Sequence, residues 1–453
     1  MSKTVKLRKG LSINLIGGAE EVISKSSVSK TFSVKPSDFH GLIPKMVVKE
    51  GDSVKAGTII FYSKYNESIK FASPVSGKVK AIVRGEKRRI LEVLITADSE
   101  LSYEEGSVTK VADLDGETVK SMILSSGLWP MIKQRPIDVV ADPSKQPKAI
   151  FVSGFDSAPL AADLNYVLKG RGDEFQEGLN ALAKLTSGKV HLSLDGKGAA
   201  DASLSSAKGV QINTIIGKHP AGNVGTQIHH IDPVNKGEFV WTVNAQDVAL
   251  IGRYFLSGKY DVRKVIAVVG SEVNKPQYFE VVSGMNVAEL TSDLKSDNVR
   301  VISGNVLTGE KIEKDGYLGF YDNQITIIPE GDHLKFAFTE GWMVPLGFKK
   351  FSNSRLFASK MTPNKKFALD TNTNGEERAF VVTGELEKVF PFDILPMQLA
   401  KAAITDDIDG MENLGIYEVA PEDFALCEFV CTSKIDIQDK IRKGLDLIAQ
   451  ECM

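Results

Sequence analysis

Between residues 31 and 98 the apolar runs are short, and turn-forming residues cut each of them off. Met46–Val48, Thr58–Phe61, Lys78–Val83 and Leu91–Ile95 are divided by Gly51-Asp52, Gly57, Pro74, Gly77 and Gly85. This punctuation predicts a small β barrel or sandwich. Past residue 100 the pattern changes. Ala149–Ser153 reads as a strand entering a Gly-containing loop. Asp173–Ser187 places Phe175, Leu179, Leu182 and Leu185 on one helical face before Gly188. Val190–Leu194, Val210–Ile216 and Phe239–Val243 read as strands, and Ala245–Ser257 as a helix with Val248, Ile251 and Phe255 at core spacing. Alternation of strand and helix implies a parallel α/β sheet.

Residues 262–330 read as strand, hairpin, short helix and strand. The helix is expected at Asn286–Leu294, where Asn286 and Glu289 resemble a capping box. Residues 385–453 turn helical, and the last helix sets Ile437, Ile441, Leu445 and Ile448 on one stripe. The 453 residues allow three or four domains at ~100–200 residues each. The expected division is a β domain with an N-terminal arm at 1–98, an α/β domain at 99–257, a β-grasp domain at 258–330, and a linker with a mostly helical domain at 331–453.

A hydrophobic content of 42% supports a sizeable core, and a net charge of −3 gives no global attraction to nucleic acid. No apolar run approaches the ~18–20 residues that a spanning helix needs. The basic start MSKTVKLRKG lacks the apolar stretch of a secretory signal. Three cysteines, Cys427, Cys431 and Cys452, fit a reducing compartment rather than a disulfide framework.

Short motifs mostly fail on inspection. Residues 44–83 resemble the biotinyl/lipoyl carrier fold in EGDSVKAG and ASPVSGKV, but Asn66 fills the place of the modifiable lysine, with Lys64 and Lys70 at other offsets. Gly196-Lys-Gly198 and Gly170-Arg-Gly172 read as turns, because Asp201 and Phe175 stand where a dinucleotide fingerprint requires a small residue. Cys427-Glu-Phe-Val-Cys431 keeps half of an iron–sulfur spacing, but the earlier ligand positions hold Phe424 and Pro421, so a packed cysteine pair is expected. Asp407-Ile-Asp409-Gly410 fails as a calcium loop and reads as a solvated turn. Gly217-Lys-His219-Pro-Ala-Gly222-Asn-Val-Gly225 follows a strand, where open α/β sheets bind ligands. His219 can donate to a carbonyl or anion there; the alternative is a tight turn carrying a hydrogen-bonded surface histidine.

Taken together, KFASPVSGKVKAIVRGEKR, SSGLWPMIKQRP, GKHPAGNVGTQIHHIDPV, NAQDVALIGRYFLSGKY, VNKP, TNTNG and CEFVC resemble the A-subunit family of bacterial Na+-translocating NADH:quinone oxidoreductases over nearly the whole chain. More distantly the chain is similar to the C subunit of Rnf complexes and to the flavin-bearing NADH subunit of respiratory complex I. In those relatives a Gly-Gly-Ala-Gly-Phe-Pro loop wraps the flavin. Here the corresponding stretch is Ser126-Gly127-Leu128-Trp129-Pro130-Met131. The resemblance implies an α/β multidomain chain with biotinyl/lipoyl-like barrel-sandwich, Rossmann-like, β-grasp (ubiquitin-like) and C-terminal helical domains. It implies a peripheral subunit on the cytoplasmic face of the bacterial inner membrane, without a cofactor of its own. Flavins and iron centres would sit in partner subunits, and the chief partner would be the membrane quinone-reducing subunit. Quinone is a candidate ligand, with Trp129, His219, Gly222 and Gly225 as candidate contacts. A partner interface is expected where aromatic and basic residues interleave: Trp342, Phe348, Lys349, Lys350, Arg355 and Phe357. The alternatives are a free-standing flavin-dependent NADH dehydrogenase and an acyl or biotin carrier.

Overall fold

The computed structural model describes residues 2–25, 29–332, 351, 362 and 364–453. The punctuated stretch forms two facing sheets. One runs in the order Thr31–Val34, Ile90–Ala97, Gly77–Arg84, Ser53–Val54, and the other in the order Pro44–Met46, Ile59–Ser63, Lys70–Ala72. Alternating side chains fill the space between them: Phe61 stacks on Phe71 at 4.7 Å, and Val79, Val93 and Ile95 are buried. Asn66 sits in the turn between Ile59–Ser63 and Lys70–Ala72, where its side chain accepts from the Ser68 amide at 3.1 Å.

A seven-stranded sheet forms the centre, in the order Thr4–Lys6, Gln211–Ile216, Lys189–Asp195, Ala149–Ser153, Val240–Asn244, Ile132–Arg135, Val139–Val140. The first five strands are mutually parallel, Ile132–Arg135 runs antiparallel to them, and Val139–Val140 pairs antiparallel with Ile132–Arg135. Strands Ala149–Ser153 and Val240–Asn244 are buried on both faces, which accounts for their continuous apolar composition. Helices Gly172–Lys184 and Ala245–Ser257 pack on one another through Gly178 and Gly252. A Cβ on Gly178 would lie 1.9 Å from the Val248 carbonyl oxygen, and one on Gly252 1.8 Å from that of Glu174.

A mixed six-stranded sheet follows: Glu310–Ile312, Val299–Ser303, Gln324–Pro329, Arg263–Val269, Gln277–Val282 and, at its edge, Glu20–Lys25. No helix forms over Asn286–Leu294. The Asn286 side chain accepts from the Ala288 amide in a local turn, and the Thr291 hydroxyl donates to the Lys314 carbonyl at 2.6 Å. These side-chain bonds compete with helix propagation, and only isolated turns close, Thr291 N–H to Val287 O and Ser292 N–H to Glu289 O.

The C-terminal region is helical: Glu385–Val389, Pro396–Ile404, Ile408–Asn413, Ala425–Val430 and Ile437–Cys452. Ile437, Ile441, Leu445 and Ile448 are each fully buried along the last helix. Asp407 and Asp409 are solvated as expected, but they open a helix rather than form a turn: Asp407 is the N-cap of Ile408–Asn413, accepting from the Gly410 amide at 2.9 Å. Among the described residues no helix is long and apolar enough to cross a membrane.

Candidate functional site

From Ser153 the chain moves outward to Lys189–Asp195 and Gln211–Ile216, then returns to lay Val240–Asn244 on the other side of Ala149–Ser153. The connections therefore diverge between two parallel neighbours, which opens a crevice at their carboxyl ends. A cleft of about 460 Å³ occupies this place. Ser153 and Asn244 reach it from the strand ends, Asp247 from the first turn of helix Ala245–Ser257, and Asp156, His219 and Gly222 from loops. Lys133 and Arg135 reach it from the antiparallel strand, Tyr321 and Asp322 from the six-stranded unit, and Pro421 and Glu422 from the helical region.

His219 is buried rather than on the surface. Its Nδ1 lies 3.1 Å from the Ser157 hydroxyl, which accepts from the Gly222 amide at 2.8 Å. Burial lowers His219 to about 4, so the ring is neutral near pH 7. A Cβ on Gly222 would stand 2.4 Å from the Ser157 nitrogen, so the loop closes only over glycine. Gly225 serves a different contact: the Asp423 carboxylate rests 2.4 Å from where its Cβ would be. Trp129 does not line the cleft. It is 0% exposed, donates its indole N–H to the Ala141 carbonyl at 2.7 Å and meets Trp241 edge-on. Leu128 is buried beside it, and Gly127 caps helix Gly116–Ser126 with φ +80. Trp342, Phe348, Lys349, Lys350, Arg355 and Phe357 lie outside the described residues.

The charges in the cleft follow a clear order. Arg135, 2% exposed, pairs with Asp423 at 3.0 Å and with Glu422, and its Nε stands 3.5 Å from Asp138. Lys133 pairs with Asp138 at 2.7 Å. Burial opposes ionisation of Asp138, but Lys133 and Arg135 prevail and hold it at about 2. Both cations are therefore engaged. Three carboxyl groups face the same space with raised affinity for protons, each through burial: Asp156, Asp322 and Asp247, the last raised to about 6. A phosphate placed here would meet carboxylates and no unengaged cation among the described residues. Near the helical region, His229 joins two units: its Nδ1 is 2.7 Å from Glu418 Oε2, and its Nε2 accepts from the Asp393 amide at 3.0 Å.

Cys427 and Cys431, 0% and 1% exposed, pack in the helical core with Phe424. Burial raises the Cys427 thiol well above its ordinary range. Among the described residues no cluster of His, Cys, Asp and Glu has the arrangement of a metal centre.

These parts define a class: a multidomain protein that joins a barrel-sandwich unit, mixed α/β sheets and a helical C-terminal region. Family models fit each section in turn. Residues 5–98 match the NqrA N-terminal barrel-sandwich hybrid domain, 114–260 the NqrA second alpha/beta domain, and 265–314 the NQRA C-terminal domain. The A-subunit of the Na(+)-translocating NADH-quinone reductase of Neisseria meningitidis serogroup A is 39% identical over 99% of this chain and 100% of that protein. The Rhodopirellula baltica protein of the same name is 39% identical over 98% of each, and that of Marinomonas sp. 37% over 98% and 99%. The chain belongs to the NqrA family, the A-subunits of Na(+)-translocating NADH-quinone reductases.

Proposed function

We propose that this chain is a cofactor-free peripheral subunit of a Na+-translocating NADH-quinone reductase, lying on the cytoplasmic face of the membrane and supporting the quinone-reducing subunit. The observation that carries the reading is the filling of both positions where the flavin-bearing relatives hold cofactors. Leu128 and Trp129 are packed into the core in place of a flavin loop, and Phe424 packs where a cluster ligand would stand. Lys133 and Arg135 are both engaged with carboxylates, so among the described residues the cleft offers no free cation to pair with a phosphate. The strand order with its reversal beside Ala149–Ser153 supports a Rossmann-like assignment, and the sheet around Arg263–Val269 a β-grasp one, although the expected helix is absent. His219 and Gly222 are the proposed contacts for a quinone carbonyl, because they border the cleft.

Two measurements test this. The chain purified without partners should carry no stoichiometric flavin or iron, and its intact mass should equal that of the unmodified polypeptide. A complex assembled without it should still pass electrons from NADH to a soluble artificial acceptor but lose quinone reduction. Bound flavin, or undiminished quinone reduction, would overturn the reading.

A further inference from the structure

The hairpin joining Gly77–Arg84 to Ile90–Ala97 projects from the barrel-sandwich unit with an unusual charge pattern. Between Gly77 and Val93 it carries six basic and two acidic side chains, on a chain whose net charge is −3. Lys78, Lys80, Arg84, Lys87, Arg88 and Arg89 are all exposed. Among the described residues none of them has a carboxylate partner; Arg84 donates only to the Arg88 carbonyl at 3.3 Å. Val83 and Leu91, 36% and 38% exposed, flank the tip.

The turn itself works against local preference. Lys87 and Arg88 have φ of 52° and 60°. The Gly85 amide donates to the Arg89 carbonyl at 2.8 Å, and the Arg89 amide to Glu86 at 3.0 Å. Two central residues with positive φ are the requirement of a type I′ turn, which Asn-Gly meets without steric cost. Here two long cations hold the positions instead and keep their charges at the outermost point. Backbone strain retained at an exposed, unpaired tip points to a contact made there.

We infer that this hairpin docks on the anionic phospholipid surface of the membrane, with its cations at the headgroups and Val83 and Leu91 at the interface. The inference rests on the peripheral-subunit reading above. Charge complementarity selects the occupant: unpaired Lys and Arg beside small apolar side chains suit a diffuse anionic surface, where geometry need not match side chain to side chain. Each basic residue near such a surface contributes ~5-fold in affinity.

The test is co-sedimentation of the full chain with vesicles of phosphatidylcholine alone or mixed with phosphatidylglycerol. The chain should bind the anionic vesicles, not the neutral ones, and release as salt rises. Lys87→Asn with Arg88→Gly should reduce binding ~30-fold while making the turn easier to form, so the loss cannot come from unfolding. Lys169→Gln with Lys197→Gln, exposed cations elsewhere, should leave binding unchanged. Absence of binding to anionic vesicles, or binding indifferent to the turn variant, overturns the inference. So does a turn variant that holds vesicles normally yet fails to co-purify with the other subunits, which would make the hairpin a protein contact. Co-purification of the unaltered chain is scored separately, so the peripheral-subunit reading stands or falls on its own.

Discussion

Arg135 shows how much of the cleft depends on single side chains. Its guanidinium is buried among Asp138, Glu422 and Asp423, and the Asp423 side chain is 0% exposed. Arg135→Met would strand that carboxylate, and such losses cost about 3–5 kcal/mol. A urea titration should show a lower midpoint at pH 7, with part of the loss regained at pH 5 as the carboxyl takes up a proton. No sequence pattern marks this group, because Glu422 and Asp423 lie 287 and 288 residues away from Arg135. His219 was legible as a polar group after a strand; its burial was not, since the covering residues come from other units. Its pH dependence has a definite sign. The folded state holds it near 4 against an ordinary 6.5, so the unfolded chain binds the proton more readily. Its contribution is complete above pH 6.5 and is lost as pH falls towards 4, by up to about 3 kcal/mol. His219→Gln should flatten that part of the stability profile; an unchanged slope would show that the ring titrates freely.

At the scale of elements, the sequence located what local periodicity controls. Ala149–Ser153 and Ala245–Ser257 form at the residues expected, because a buried β-branched run and apolar residues at helical core spacing each have one stable solution. It failed at Asn286–Leu294, where side-chain bonds to a distant carbonyl outweigh propensity. It also could not show that Gly178 and Gly252 are the crossing point of two helices, since glycine inside a helix looks only unfavourable until its partner is known. Gly252→Ala should cost more than the usual gain from replacing a helical glycine, a net ~1–3 kcal/mol of destabilisation by overpacking, read from thermal unfolding. The hairpin turn behaves in the opposite sense. Relief of positive φ at Lys87 and Arg88 by Asn-Gly should stabilise the barrel-sandwich unit by about 1–2 kcal/mol.

At the scale of the whole molecule, the N-terminal arm ties together units that are distant in sequence. Thr4–Lys6 completes one edge of the seven-stranded sheet, paired in parallel with Thr214–Ile216. Ile13 and Leu15, each 7% exposed, then insert into the core of the C-terminal helices, alongside Ile137 from the central sheet unit. Gly17 accepts from the Gly270 amide at 2.9 Å, and Glu20–Lys25 adds the edge strand of the six-stranded sheet. Three units thus share one arm before the barrel-sandwich begins. Contacts of this kind make unfolding cooperative, because no unit can open without exposing surface on another. Ile13→Ser with Leu15→Ser should remove the apolar part of the link, about 1.5–3 kcal/mol per side chain, while leaving both paired strands in register. The helical region then keeps the apolar contact through Ile137 and the polar contacts of Arg135, His229, Lys236 and Arg442 to the rest of the molecule. Calorimetry of the full chain should show one main transition, and the double variant two, with the C-terminal helices melting first. Hydrogen exchange should assign the early transition to residues 385–453, whose amides would lose protection ahead of those in Ala149–Ser153. A single transition shifted uniformly downward would mean that the remaining contacts keep the units together, and that the arm is a passenger on the sheets it borders.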